Sequence, residues 1–277
     1  MADGKLFIAV MGVVPKKALS RFMRRLVRVN SGLAVRWFAR KYGLAMHEAE
    51  RPIDEYPTIL DLFTRRLKPG ARPVDPDPDA LVSPVDATFD ASGVLDAGTL
   101  LQAKGRTYSL AALLADEGLA EHYEGGQYVT LYLAPKDYHR IHAPVSGAVT
   151  GCVHVPGELW PVNRAAVAHV DSLFAVNERL ITHIDSEGFG RVALVMVGAT
   201  NVGHMTAAYD DRVATNTGQT EIERKSYETP VPLEKGGDLG VFEMGSTVVL
   251  VVEKGVALDA FALGTPVKMG QRIGARV

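Results

Sequence analysis

Leu19, Phe22, Met23, Leu26 and Val27 recur at i, i+3, i+4, i+7 and i+8, which predicts one apolar face on a helix near the start of the chain. An apolar run at residues 6–14, interrupted only by Gly12, precedes it. A bilayer crossing needs about 20 such residues, so the run is expected to enter one leaflet or to be buried within the protein. It is not expected to direct export, because no small-x-small cleavage site follows it. Helical patterns recur at residues 33–42 and 59–67, and Pro69, Pro73, Pro76 and Pro78 then mark a turn-rich linker. Beyond the linker the texture changes to short β-type runs at 128–133, 148–155, 192–197 and 247–252, with one further helix at 110–119. Residues 210–240 are polar and charged and read as a long excursion or mobile loop. Together these patterns predict an α+β chain: a helical region at residues 1–70, then a mainly antiparallel β barrel or sandwich at residues 71–277.

Composition excludes disorder, since 47% of the 277 residues are apolar. A single cysteine, Cys152, cannot form an intrachain disulfide. The formal charge of −2 predicts no general attraction to nucleic acid, but it is an average. Between Lys16 and Lys41 lie nine cations (Lys16, Lys17, Arg21, Arg24, Arg25, Arg28, Arg36, Arg40 and Lys41) and no acid. A basic helix with one apolar face is the pattern of an interfacial membrane helix, and each cation near an anionic leaflet is worth about 1 kcal/mol. A solvated helix packing its apolar stripe on the main domain is the alternative.

Three places could carry chemistry. His139 and His142 stand three apart where a strand gives way to a loop, flanked by Pro135 and Pro144. They could move protons near neutral pH, ligate a metal or simply pack. No carboxylate lies at a matching ligand offset, and His154, His169, His183 and His204 are scattered. The second place is Glu243-Met244-Gly245-Ser246-Thr247, directly before an apolar strand. Glycine ahead of serine leaves its carbonyl unshielded, so the hydroxyl can attack it if a base takes the proton. The third is Ser83-Pro84-Val85-Asp86, where a carboxylate after a proline turn could orient a histidine; neighbouring Asp90 is an equal candidate.

In this order, the three places resemble the phosphatidylserine decarboxylases of the bacterial and mitochondrial membrane-associated branch. The likeness also runs through Leu101-Gln102-Ala103-Lys104-Gly105, Val155-Pro156-Gly157-Glu158-Leu159, Leu173-Phe174-Ala175-Val176-Asn177-Glu178-Arg179 and Val197-Gly198-Ala199-Thr200. The resemblance implies a self-processing lyase whose cofactor is pyruvate, a covalent pyruvoyl group made from Ser246. Ser246 would attack Gly245, giving a β chain of residues 1–245 and an α chain of residues 246–277 that stay associated. His142 would be the base, Asp86 would hold its imidazole, and His139 would help return a proton to the decarboxylated carbon. No metal is implied. The substrate would be phosphatidylserine, bound through a Schiff base to the pyruvoyl group at an anionic membrane surface. The resemblance further implies a peripheral enzyme on the cytoplasmic face of the cell membrane and suggests a homodimer. Two positions depart from the family pattern. Met244 stands where leucine is usual, a swap that keeps size and apolarity. Ala87 follows Asp86 where glycine is commoner, and alanine would be strained there if φ had to be positive.

Overall fold

The computed structural model describes residues 2–103, 106–200, 204–243 and 247–277. Four helices open the chain: α1 (Ala2–Val13), α2 (Lys16–Leu26), α3 (Gly32–Tyr42) and α4 (Ile59–Phe63). The local chemistry sets their ends. Ser31 caps α3 by accepting from the Ala34 N–H, Gly43 closes it in the left-handed conformation, and Thr58 caps α4 through the Asp61 N–H. Val35, Phe38 and Ala39 of α3 meet Tyr56, Leu62 and Phe63 in a small core of their own. α1 packs beside the helix Arg164–His169, so the first apolar run is partly covered, with Ile8 against the main core and Val10 and Val13 left exposed. No helix among the described residues is long and apolar enough to cross a membrane.

The rest is built on antiparallel sheets. The largest has eight strands in the spatial order Glu223–Leu233, Gly147–Val155, Arg179–Ser186, Gly190–Val197, Thr247–Val252, Gln127–Tyr132, Ala87–Val94 and Pro266–Val267. Its two outer strands do not pair with each other among the described residues, so the sheet is open where a closed barrel was one expectation. Thr247–Val252 lies inside it, paired with Gln127–Tyr132 on one side and Gly190–Val197 on the other, and all six of its residues are buried. A run that is β-branched at every position but Leu250, and apolar after its first residue, suits a strand covered on both faces. Two three-stranded sheets flank it, Ala80–Val82 with Arg272–Arg276 and Val256–Leu258, and Met205–Ala207 with Asp238–Phe242 and Arg140–His142.

Two expectations change. Residues 110–119 form two short helices, Leu110–Leu114 and Glu117–His122, because Ala115 turns left-handed at φ 53° and Asp116 caps a fresh start through the Leu119 N–H. Residues 210–240 are not one loose excursion. They hold the Glu223–Leu233 strand, whose polar residues are the solvated positions of a sheet edge, and the Asp238–Phe242 strand. The proline-rich linker is pinned, with the Asp75 N–H on Gly270 O and the Lys235 ammonium on Asp77 O.

Candidate functional site

His139 immediately precedes the short strand Arg140–His142 and His142 ends it, and both are buried. The His139 ring stacks on Phe63 of α4 with centroids 3.9 Å apart, and its Nδ1 bonds Asp137 O at 2.8 Å. A carbonyl can only accept, so Nδ1 carries the proton and Nε2 is a bare lone pair. That Nε2 is buried and has no partner among the described residues. Burial pushes the His139 pKa down to about 3, so the ring is neutral at pH 7. Arg65, also buried, closes the far side of this loop by donating to the carbonyls of Lys136 (3.3 Å) and Asp137 (3.5 Å).

His142 is satisfied at both nitrogens. Nδ1 donates to Gly236 O at 2.8 Å, and Nε2 accepts from the Tyr138 hydroxyl at 3.1 Å. Burial lowers its pKa as well, with the nearby charge of Asp238 opposing. The carboxylate that faces this imidazole is Asp238, 3.6 Å from Nδ1, and Arg140 and Arg66 hold Asp238 in turn.

Asp86 was expected to hold the His142 ring, and in the structure its carboxylate is engaged elsewhere. It receives Arg72 Nε at 2.7 Å and Nη2 at 2.6 Å, the Met269 N–H at 2.9 Å and Lys268 Nζ at 3.1 Å. Burial by itself would raise its pKa, but Arg72, the Met269 amide and Lys268 together hold it below the ordinary carboxylate value. The link to His142 runs through the backbone: the His142 N–H bonds Pro84 O at 2.9 Å, two residues from Asp86. The Asp86 charge also acts on His139, where it opposes the effect of burial. Ala87 opens the strand Ala87–Val94 without a positive φ, so its departure from glycine brings no strain.

Gly245 and Ser246, with Met244, lie outside the described residues. The residues on either side are well anchored. The Phe242 N–H bonds His139 O at 3.0 Å, the Glu243 N–H bonds His204 O at 3.0 Å, and Thr247 pairs with Tyr132 and Val197. No group of three metal-ligating side chains gathers among the described residues. What the arrangement offers is two neutral imidazoles, one with no partner for its lone pair among the described residues, on and just before the strand that pairs with the Asp238–Phe242 strand leading toward position 246. Sequence reasoning missed Asp238, Arg72, Lys268 and Tyr138. The first three are distant in sequence from the residues they serve, and only Tyr138, four before His142, lay within a local motif.

The phosphatidylserine decarboxylase family profile matches residues 59–275. Among curated proteins, a phosphatidylserine decarboxylase proenzyme of Anaeromyxobacter sp. (strain K) is 48% identical over 98% of this chain and 99% of its own length. Proteins of the same name from Myxococcus xanthus (strain DK1622) and Brevibacillus brevis (strain 47 / JCM 6285 / NBRC 100599) are 47% and 42% identical over 98% of this chain, covering 99% and 98% of their own lengths. With its histidine pair, its buried aspartate and the likeness running nearly end to end, this chain belongs to the phosphatidylserine decarboxylase family.

Proposed function

We propose that the chain is a proenzyme that converts its own Ser246 into a pyruvoyl group and then decarboxylates phosphatidylserine to phosphatidylethanolamine at the membrane surface. The observation that carries this reading is the neutral Nε2 of His139, without a partner among the described residues, on a residue whose carbonyl is bonded to Phe242, four residues before Ser246. A buried lone pair without a partner costs about 1–3 kcal/mol, and such a group is best explained by a role that needs it free.

In the first reaction His142 takes the Ser246 proton at Nε2, the nitrogen its Gly236 bond leaves unprotonated. The freed oxygen attacks the Gly245 carbonyl and the peptide becomes an ester. Loss of the Ser246 α-proton then expels the Gly245 carboxylate and leaves dehydroalanine. Water replaces the nitrogen of that residue, ammonia departs, and residues 1–245 and 246–277 are separate chains. Tyr138, which donates to Nε2 in the intact chain, has to yield as the serine approaches. Asp86, clamped by Arg72, keeps its turn in place so that Pro84 O holds the His142 main chain.

In the second reaction the pyruvoyl group supplies an electron-accepting carbonyl for the pair left behind as CO₂ departs. His139 is the residue proposed to help at the step in which a proton returns to the decarboxylated carbon, because its buried Nε2 has no partner among the described residues.

The N-terminal region, residues 1–70, is the docking element in this reading. Phe22, Leu33 and Trp37 are 61%, 80% and 55% exposed, beside the exposed cations Arg21, Arg25 and Lys41. Exposed apolar side chains among cations fit an anionic lipid surface, and a peripheral enzyme on the cytoplasmic face of the cell membrane follows. The test is CO₂ release from vesicles containing phosphatidylserine. Wild-type protein is expected to release it and Ser246→Ala to release none; folded wild-type protein that binds the vesicles without turnover would contradict the proposal.

A further inference from the structure

Glu243 is the last described residue before Met244-Gly245-Ser246, and helix α2 holds it. Arg24 Nε meets its Oε2 at 3.0 Å, and Arg28 Nη2 lies 3.0 Å from both carboxylate oxygens. The His204 Nε2 stands 3.9 Å away, and the Glu243 N–H bonds His204 O. Arg24 lies in the last turn of α2 and Arg28 in the turn that follows the helix, and both reach the same carboxylate. The outward-facing Phe22 and Leu26 lie on a different side of the same helix and are exposed. The carboxylate itself is only 17% exposed, so charge-assisted bonds to two guanidinium groups count for more here than in an ordinary surface pair.

We propose that Glu243 is a positioning residue for self-cleavage: clasped by Arg24 and Arg28, it fixes the main chain just ahead of the Gly245–Ser246 bond. This rests on the pyruvoyl reading above. A serine attacking the carbonyl before it needs near-attack geometry, and a displacement of about 1 Å can cost roughly a hundredfold in rate. Glycine costs a chain the most conformational freedom to fix, so reaching that geometry calls for firm anchors in the residues before and after the cleavage motif. Downstream, Thr247 is fixed inside the eight-stranded sheet. Upstream, Phe242 bonds His139 O, and the Glu243 clasp completes the hold. After cleavage the same clasp retains the end of the N-terminal chain, which stops two residues beyond Glu243. Helix α2 and the turn after it therefore serve both the lipid surface, through Phe22 and Leu26, and the scissile segment, through Arg24 and Arg28.

Cell-free synthesis with timed sampling, followed by mass analysis, reads the first-order appearance of the 246–277 fragment. Glu243→Gln and the double variant Arg24→Gln/Arg28→Gln are each expected to slow it by at least about tenfold. Reversing the charges, with Glu243→Arg, Arg24→Glu and Arg28→Glu together, is expected to recover most of the rate, which a merely space-filling role would not do. Thermal melting of each variant on a Ser246→Ala background reports folding. Glu243→Gln cleaving at the parental rate overturns the proposal, as does a folded charge-reversed protein as slow as Glu243→Gln. If Glu243→Gln does not fold, the partly exposed Arg24→Gln decides by the same rates. A wild-type chain that never cleaves would instead sink the pyruvoyl reading itself.

Discussion

Both catalytic candidates present an unprotonated Nε2, but among the described residues only that of His142 has a hydroxyl against it. His142→Ala is therefore expected to block cleavage and leave a whole chain in mass analysis. His139→Ala is expected to allow at least some cleavage and to lose CO₂ release. Equal, complete loss of cleavage in both would contradict this division. Burial of neutral histidines also sets the acid limit of the fold. The His139 and His204 pKa values fall to about 3 and about 4, below the ordinary 6.5 of the unfolded chain, so the unfolded state binds protons first. Their contribution is fully present above pH 6.5 and is lost as pH drops through 6.5 toward 4 and then 3. The Ser246→Ala precursor is expected to melt at progressively lower temperature from pH 7 to pH 4, with a shallower slope in His139→Asn; identical slopes would remove His139 from the account. The histidine pair was legible in the sequence because it sits in one short stretch. Asp238, the carboxylate that faces His142, was not, because only the register of Asp238–Phe242 on Arg140–His142 brings it there.

At the scale of elements, the turn carrying Asp86 depends on a second loop. Gly270 adopts φ 83° and its N–H bonds Ser83 O, which presents the Met269 N–H and Lys268 to the Asp86 carboxylate. A Cβ on Gly270 would lie 2.5 Å from Pro73 O. Gly270→Ala is expected to destabilise the precursor by roughly 1–3 kcal/mol, read as a lower denaturant midpoint; an unchanged midpoint would show that this loop does not matter to the fold. The outward face of α2 and α3 makes a separate prediction. Phe22→Ser with Trp37→Ser is expected to lower partition onto anionic vesicles by tenfold or more, given about 1.5–3 kcal/mol for burial of each large apolar side chain. Unaltered partition, measured by sedimentation, would favour a face that meets protein instead. Periodicity gave α2 and α3 well, and the strand Thr247–Val252 at its observed limits. It failed at residues 210–240 because an edge strand with a polar exposed side carries little of the apolar signal that marks a buried one.

For the whole molecule, the two products of cleavage would remain one folded body. The first strand of the 246–277 chain pairs on both sides with strands of the 1–245 chain, and all six of its residues are buried. The products are expected to co-elute in native size-exclusion chromatography and to separate only in denaturant. Intact-mass analysis of the purified, folded protein tests the central claim most directly. The account predicts two chains, residues 1–245 and residues 246–277, the second beginning with a pyruvoyl group in place of Ser246 and lacking a free amine, with a single whole chain in Ser246→Ala. A folded wild-type protein that keeps the mass of all 277 residues would contradict it.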